Sequence, residues 1–233
     1  MKNQLTVIVP FFNEERFLKS SVTRLVNLKI CQEIIMVDDK STDKSLEIGK
    51  ELESSFSNIK LLTKHKNEGK GSCILEAKKH LNTSHVIFHD ADMEYDPNDI
   101  TKLFDKTSEY PDAIILGSRT LNMALIKNRS TSLAFVNKLL CKLFNLLNNK
   151  NVSDIASGYI LMPSNFLLNN INEEKGFGIE VEILTKAVTN GLEIYELPIN
   201  YNGRKYSQGK KIKIKDGVNI LSKIIYYSKF SKK

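Results

Sequence analysis

The chain has 233 residues, 41% hydrophobic and 26% charged, with a formal net charge of +7, which suits one large α/β domain with a substantial core. No apolar run approaches the ~20 residues that span a bilayer, and the chain enters an apolar strand at Leu5–Val9 without a signal-peptide pattern. Charge is uneven: Arg204–Lys233 holds ten Lys or Arg against one acid, Asp216, so a near-neutral body carries a basic tail that attracts something anionic.

Cys31, Cys73 and Cys141 form no CxxC pair and no even-numbered framework, and a reducing cytoplasm is the simplest setting. Strand-like and helix-like runs then alternate, as in a mainly parallel sheet. The pattern predicts a strand over Leu5–Pro10 and a helix from about Glu14 to Leu28. A strand at Glu33–Asp38 is followed by a helix from about Lys44 to Ser54, and Ile59–Thr63 is a third strand. Gly69-Lys70-Gly71 opens a helix reaching about His80. His85–His89 is a fourth strand, Asp96-Pro97 starts a helix to about Lys106, and Ala113–Gly117 is a fifth strand. Leu133, Val136, Leu140, Phe144 and Leu147 recur at helical spacing within Ser130–Leu147. Ile179–Thr189 reads as a helix, Glu193–Ile199 as a late strand, and a helix resumes near Asp216. There is no internal repeat or low-complexity linker. The expected organisation is a catalytic domain over 1–203, followed by a basic loop and amphipathic helix over 204–233.

The most informative stretch is Val86–Asp92, an apolar strand ending in two carboxylates one residue apart. Residues i and i+2 of a strand face the same way. Asp90 and Asp92, with Ala91 between them, can therefore converge on one hard divalent cation, and Mg²⁺ prefers a few carboxylates plus substrate phosphate oxygens. Such a site suits a nucleoside diphosphate. Pro10, Asn13 and Glu14 follow the first strand, where open α/β sheets place ligands, although Pro10 and Asn13 also serve as ordinary strand-to-helix punctuation. Asp38 or Asp39 can accept a base N–H, while Asp43 suits a helix N-cap. Lys70 stands at a helix N-terminus, where phosphate or base can meet it. The surrounding glycines lack the Walker spacing, and the first strand lacks G-x-G-x-x-G. Glu180 and Glu182, two apart on a helix, point to different faces. A nucleic-acid binder would show interleaved surface aromatics and a recognisable motif, and the body of this chain is slightly acidic, which sets nucleic acid aside as a partner.

Val9–Glu15, Val37–Asp43, Asn67–Gly71 and Phe88–Pro97 together resemble a family-2 glycosyltransferase of the GT-A fold. The likeness extends to dolichyl-phosphate mannose synthases and related polyprenyl-phosphate glycosyltransferases. It does so through Gly117-Ser118-Arg119, Ser157-Gly158-Tyr159, Gly176–Glu182, Tyr201–Arg204, Gly209–Ile212 and Lys215–Gly217. The resemblance implies that Pro10, Asn13, Glu14 and Asp39 cup the nucleotide, and that Asp90 and Asp92 hold Mg²⁺ or Mn²⁺ against the diphosphate. Arg119 and Arg129 would meet an acceptor phosphate, and Arg204 with Lys210 the donor diphosphate. Glu180 and Glu182 would lie by the sugar or metal. The implied reaction is inverting hexosyl transfer from a GDP- or UDP-sugar to a polyprenyl phosphate, or alternatively to a glycan or protein hydroxyl, with Glu180 or Glu182 as base. A sugar-nucleotide pyrophosphorylase would carry a glycine-rich first loop, and Val9–Glu15 has no glycine. Many relatives in this branch carry C-terminal membrane spans. Here Ile220–Lys233 is too short to span, and it suits either a helix lying on the cytoplasmic membrane face or one packed on the core.

Overall fold

The computed structural model describes residues 3–128, 130–204 and 214–230. In chain order the strands are β1 (Leu5–Phe11), β2 (Cys31–Asp38), β3 (Ile59–Thr63), β4 (His85–Phe88), β5 (Ile114–Ser118), β6 (Ile126–Lys127), β7 (Ile160–Pro163), β8 (Ile194–Pro198) and β9 (Tyr201–Asn202). The α-helices are α1 (Leu18–Asn27), α2 (Ser45–Ser55), α3 (Lys70–Ala77), α4 (Asn98–Lys106), α5 (Thr131–Asn148), α6 (Ser164–Asn170), α7 (Ile179–Thr189) and α8 (Ile214–Phe230).

The main sheet has seven strands in the order β3-β2-β1-β4-β7-β5-β8, and β6 pairs with β9 in a separate two-stranded ribbon. β1 runs parallel to β2 and β4, β2 to β3, and β5 to β8, while β7 lies antiparallel to both β4 and β5. The expected α/β architecture, a mostly parallel sheet flanked by helices, is therefore present.

Every residue of β1 is buried, because helices cover both sheet faces. The period of two divides the core. Ile8, Ile35, Val37, Val86 and Phe88 face α3, α5, α6, α7 and α8. Val7, Val9, Ile34, Met36 and Ile87 face α1, α2 and α4. α1 seats Leu18, Val22 and Leu25, an i, i+4, i+7 stripe. Each large side chain so enclosed contributes about 1.5–3 kcal/mol of burial. Cys31, Cys73 and Cys141 are buried and unpaired.

Two features differ from the sequence reading. The first helix begins at Leu18 rather than Glu14, because the Phe17 and Leu18 amides bond back to the Glu14 carbonyl in a turn that precedes it. The β7–α6 unit was not expected. α8 packs on α5 and α7 and sends Ile224 and Tyr227 into the core, so its described part is joined to the body. Among the described residues no helix is long and apolar enough to cross a membrane.

Candidate active site

β1, β2 and β4 deliver their carboxyl ends to the same edge of the sheet, with Ile8 opposite Phe88 and Phe11 opposite Asp38. The loops that follow enclose a cavity of 310 Å³. Its walls include Pro10, Glu14, Asp39, Lys70, Asp90, Ala91, Asp92 and Arg204. Eight of the residues singled out from the sequence thus meet in one place.

Each contributes through a local cause. The Glu14 amide donates to Ser45 Oγ at 2.7 Å, while its carboxylate accepts from Arg204 at 3.1 and 3.3 Å. Asp39 organises the loop ahead of α3. It accepts the Glu68 and Gly69 amides at 3.0 and 2.7 Å, and Lys64 Nζ at 2.9 Å. α3 then begins against the 174–176 backbone, with the Ser72 amide bonded to the Lys175 carbonyl at 2.8 Å. Only glycine fits at 71, since a Cβ there would stand 2.3 Å from the Glu174 carbonyl oxygen.

Lys70 Nζ lies 2.9 Å from Asp90 Oδ1, 3.1 Å from Asp90 Oδ2 and 3.0 Å from Glu180 Oε1. Burial alone would lower its pKa, but the two carboxylates outweigh that and raise it. Arg204 bridges Asp92 at 3.1 Å and Glu14 at 3.1 Å, lies over the Phe17 ring, and sends its own amide to Glu94 Oε1 at 2.8 Å. Burial, and then the neighbouring Asp90 and Glu94 carboxylates, push the Asp92 pKa upward. Negative charge is crowded here. Arg204 Nε is buried with no hydrogen-bond partner among the described residues, and its nearest acceptor is Glu94 Oε1 at 3.9 Å.

Several sequence candidates lie elsewhere. Asn13 ties two loops together, its Oδ1 accepting the Thr42 amide at 2.8 Å and its own amide donating to Ser41 Oγ at 3.0 Å. Asp38 accepts the Ser41 amide at 3.0 Å. Arg119 is gripped by Asp154, with Nε and Nη2 at 2.8 Å from its two oxygens, donates to the Ala156 carbonyl, and stacks over Tyr201. Glu180 reaches the cavity's edge through Lys70. Glu182 does not: fully buried, it accepts the amides of Asn172, Glu173 and Glu174 and pairs with Lys186. Two positions along a helix turn a side chain by about 200°, which sends one glutamate to the cavity and the other to the 172–174 loop. Arg129 and Lys210 lie outside the described residues.

The sequence reading missed Glu94 and Phe177, which also line the cavity. Glu94 had a signal, since it extends the Asp90, Asp92 alternation by one more acid. His89 was also missed. It is fully enclosed between Ser21 Oγ at 2.9 Å and Tyr159 OH at 2.7 Å, and burial pushes its pKa down to about 4. Behind Asp90, a Cβ on Gly158 would stand 2.7 Å from Oδ2, so the Ser157-Gly158-Tyr159 turn backs that carboxylate directly.

The profile of glycosyl transferase family 2 matches residues 6–167. The dolichol-phosphate mannosyltransferase of Pyrococcus furiosus is 25% identical over 211 residues, which cover 89% of this chain and 59% of that protein. A UDP-N-acetylglucosamine–dolichyl-phosphate N-acetylglucosaminyltransferase of Methanococcus voltae is 28% identical over 236 residues, 94% of each chain. Among solved structures, the glucosyl-3-phosphoglycerate synthase of Mycobacterium tuberculosis, in complex with Mn²⁺, UDP-glucose and phosphoglyceric acid, aligns with a TM-score of 0.75. That alignment has 15% identity and covers 97% of this chain and 80% of the other, a likeness of fold.

Proposed function

The chain belongs to glycosyl transferase family 2, and we propose that it moves a hexose, with inversion, from a nucleoside-diphosphate sugar to a polyprenyl phosphate. The observation that carries this reading is the single cavity in which Asp90 and Asp92 stand beside Glu14, Asp39, Lys70 and Arg204. The dolichyl-phosphate transferases among the relatives support the acceptor class.

The donor set fits Mg²⁺ or Mn²⁺. Its oxygens are hard carboxylates, and crowding of Asp90, Asp92 and Glu94 leaves negative charge for a cation to offset. Among the described residues no three acidic, His or Cys side chains form a ready cage; Mg²⁺ is ordinarily held by one or two carboxylates together with substrate phosphates and water. When bound, the ion supplies Lewis-acid neutralisation of the departing diphosphate. The Arg204 guanidinium and the Lys70 ammonium both line the cavity and supply positive charge for the same phosphates. Asp39 keeps the loop ahead of α3 in place, and Pro10 and Glu14 form the floor beneath the nucleotide.

A phosphate monoester is already anionic near neutral pH, its second pKa being about 6, so its oxygen attacks without a protein base. That matches Glu180, whose carboxylate is committed to Lys70. It also matches Glu182, which is committed to loop amides. We place the enzyme at the cytoplasmic membrane face. α5 exposes Phe135, Leu139 and Leu146, α8 exposes Val218, Leu221, Ile225 and Tyr226, and Lys138 and Lys142 are exposed on α5 beside them. Flotation with anionic vesicles at low salt checks that placement; full-length protein that stays at the bottom of the gradient removes it.

The main test is incubation with polyprenyl phosphate, Mg²⁺ or Mn²⁺, and GDP- and UDP-sugars in separate reactions, read by mass spectrometry. A lipid-phosphate-sugar is the expected product, lost in Asp92→Asn. Donor binding without lipid product overturns the acceptor assignment in favour of a hydroxyl.

A further inference from the structure

Lys70 occupies an unusual position for a residue expected to meet phosphate. Its ammonium is within bonding distance of both Asp90 oxygens, at 2.9 and 3.1 Å, and these are the atoms a divalent cation would use. The ammonium is therefore a built-in substitute for the ion. A metal that takes those oxygens competes with Nζ, because the ammonium already occupies a lone pair on each and the two cations repel.

The displaced ammonium has a place to go. Glu180 Oε1 lies 3.0 Å from the same Nζ, and its side chain is only 9% exposed. Among the described residues Lys70 is the only cation at ion-pair distance from Glu180. Both groups are too enclosed to be left alone: an unpaired buried charge is costly, and water cannot reach in to compensate. Glu180 stands in the first turn of α7, directly after the N-cap Gly178, on a different element from Asp90. The lysine thus stands between two carboxylates, one belonging to the metal site and one not.

We propose that Lys70 is the internal counter-ion of Asp90 in the metal-free protein, and that divalent-cation binding transfers it to Glu180, so that Glu180 tunes metal affinity without touching the metal. This rests on the reading that Asp90 holds the ion. No bond forms or breaks covalently; one ion pair is exchanged for another. Lys70, released from Asp90, remains beside the cavity with a full charge for the donor phosphates.

The test is titration of the full chain with Mn²⁺ alone, following free Mn²⁺ by electron paramagnetic resonance. Lys70→Gln is expected to tighten binding roughly tenfold, and Glu180→Gln to weaken it by a similar factor, because the lysine then has Asp90 alone. In the Lys70→Gln background, Glu180→Gln should change nothing. That non-additivity separates a glutamate acting through the lysine from one that ligates the ion. Binding too weak to measure in the wild type but measurable in Lys70→Gln is the same result.

Lys70→Gln leaves Glu180 buried without its partner. Should it fail to fold, the double variant, neutral at both positions and similar in volume, is compared with Glu180→Gln and is expected to bind Mn²⁺ more tightly. Single variants that titrate like the wild type overturn the proposal, as does an equal loss from Glu180→Gln in both backgrounds. An Asp90→Asn protein that keeps wild-type Mn²⁺ affinity overturns it together with the assignment of Asp90 as ligand, whereas loss in Asp90→Asn alone overturns only the exchange.

Discussion

The cavity and the platform behind β5 hold their charges in opposite ways. Among the described residues that line the cavity both cations are shared: Lys70 lies between Asp90 and Glu180, and Arg204 among Glu14, Asp92 and Glu94. Around Arg119 the pairing is bidentate instead. Arg119 meets Asp154 through two parallel bonds and its own amide donates to the same carboxylate. Asn137 adds a further donor, and the Tyr201 ring lies beneath the guanidinium. A shared cation can move from one partner to another at little cost, while a bidentate pair with further donors on the same carboxylate is held in one geometry. The first region is arranged to exchange ligands and the second to stay still.

The contrast is broken most severely from the fixed side. Asp154→Ala removes the fully buried carboxylate that holds the largely enclosed Arg119 at two points and is expected to cost about 3–5 kcal/mol of stability, read as a lower urea midpoint at unchanged slope. A loss below about 1 kcal/mol, the range of a solvated pair, would show that the platform is not rigid. On the cavity side, Gly71→Ala pushes the first turn of α3 off the Glu174 and Lys175 backbone. An overpacking cost of about 1–3 kcal/mol is expected, with weaker sugar-nucleotide binding because Lys70 shifts with the helix. Unchanged melting temperature and donor affinity would mean that the contact yields freely.

A pH-dependent effect comes from His89, which is neutral in the fold with a pKa pushed down to about 4 from an ordinary 6.5. Below 6.5 the unfolded chain takes up a proton that the native state refuses, so stability is lost as pH falls towards 4, by at most about 1.4 kcal/mol per pH unit. His89→Gln, which cannot titrate, should flatten that slope. Equal acid sensitivity in both proteins would assign it to other groups.

Much of this was legible in the sequence because strand ends carry local signals. Asp39, Asp90 and Asp92 stand directly after apolar runs, and Pro10 and Glu14 follow the first of them, so their convergence follows from a parallel sheet alone. What could not be read were the long-range contacts. Arg119 finds Asp154 and Arg204 finds Glu14 across stretches of chain that no periodicity connects. Glu182 is committed to the amides of a loop preceding its own helix. The spacing of Glu180 and Glu182 showed that they diverge, but not which one turns towards the cavity. Ile160–Pro163 is four residues long, does not alternate and ends in proline, so nothing local marks β7 as a strand lying between two others.

That late strand has a consequence for the order in which the molecule can assemble. β1, β2, β3 and β4 make up one side of the sheet, and all their residues have been polymerised by position 88. β5, made at 114–118, does not pair with β4; its sheet partners are β7 and β8. The first half can therefore close early, while β5 must wait for at least 42 further residues until β7 arrives to bridge it to the open edge of β4. Long-range pairings of this kind form slowly, and until then β4 presents an unpaired apolar edge, the point at which a nascent chain is most open to wrong partners.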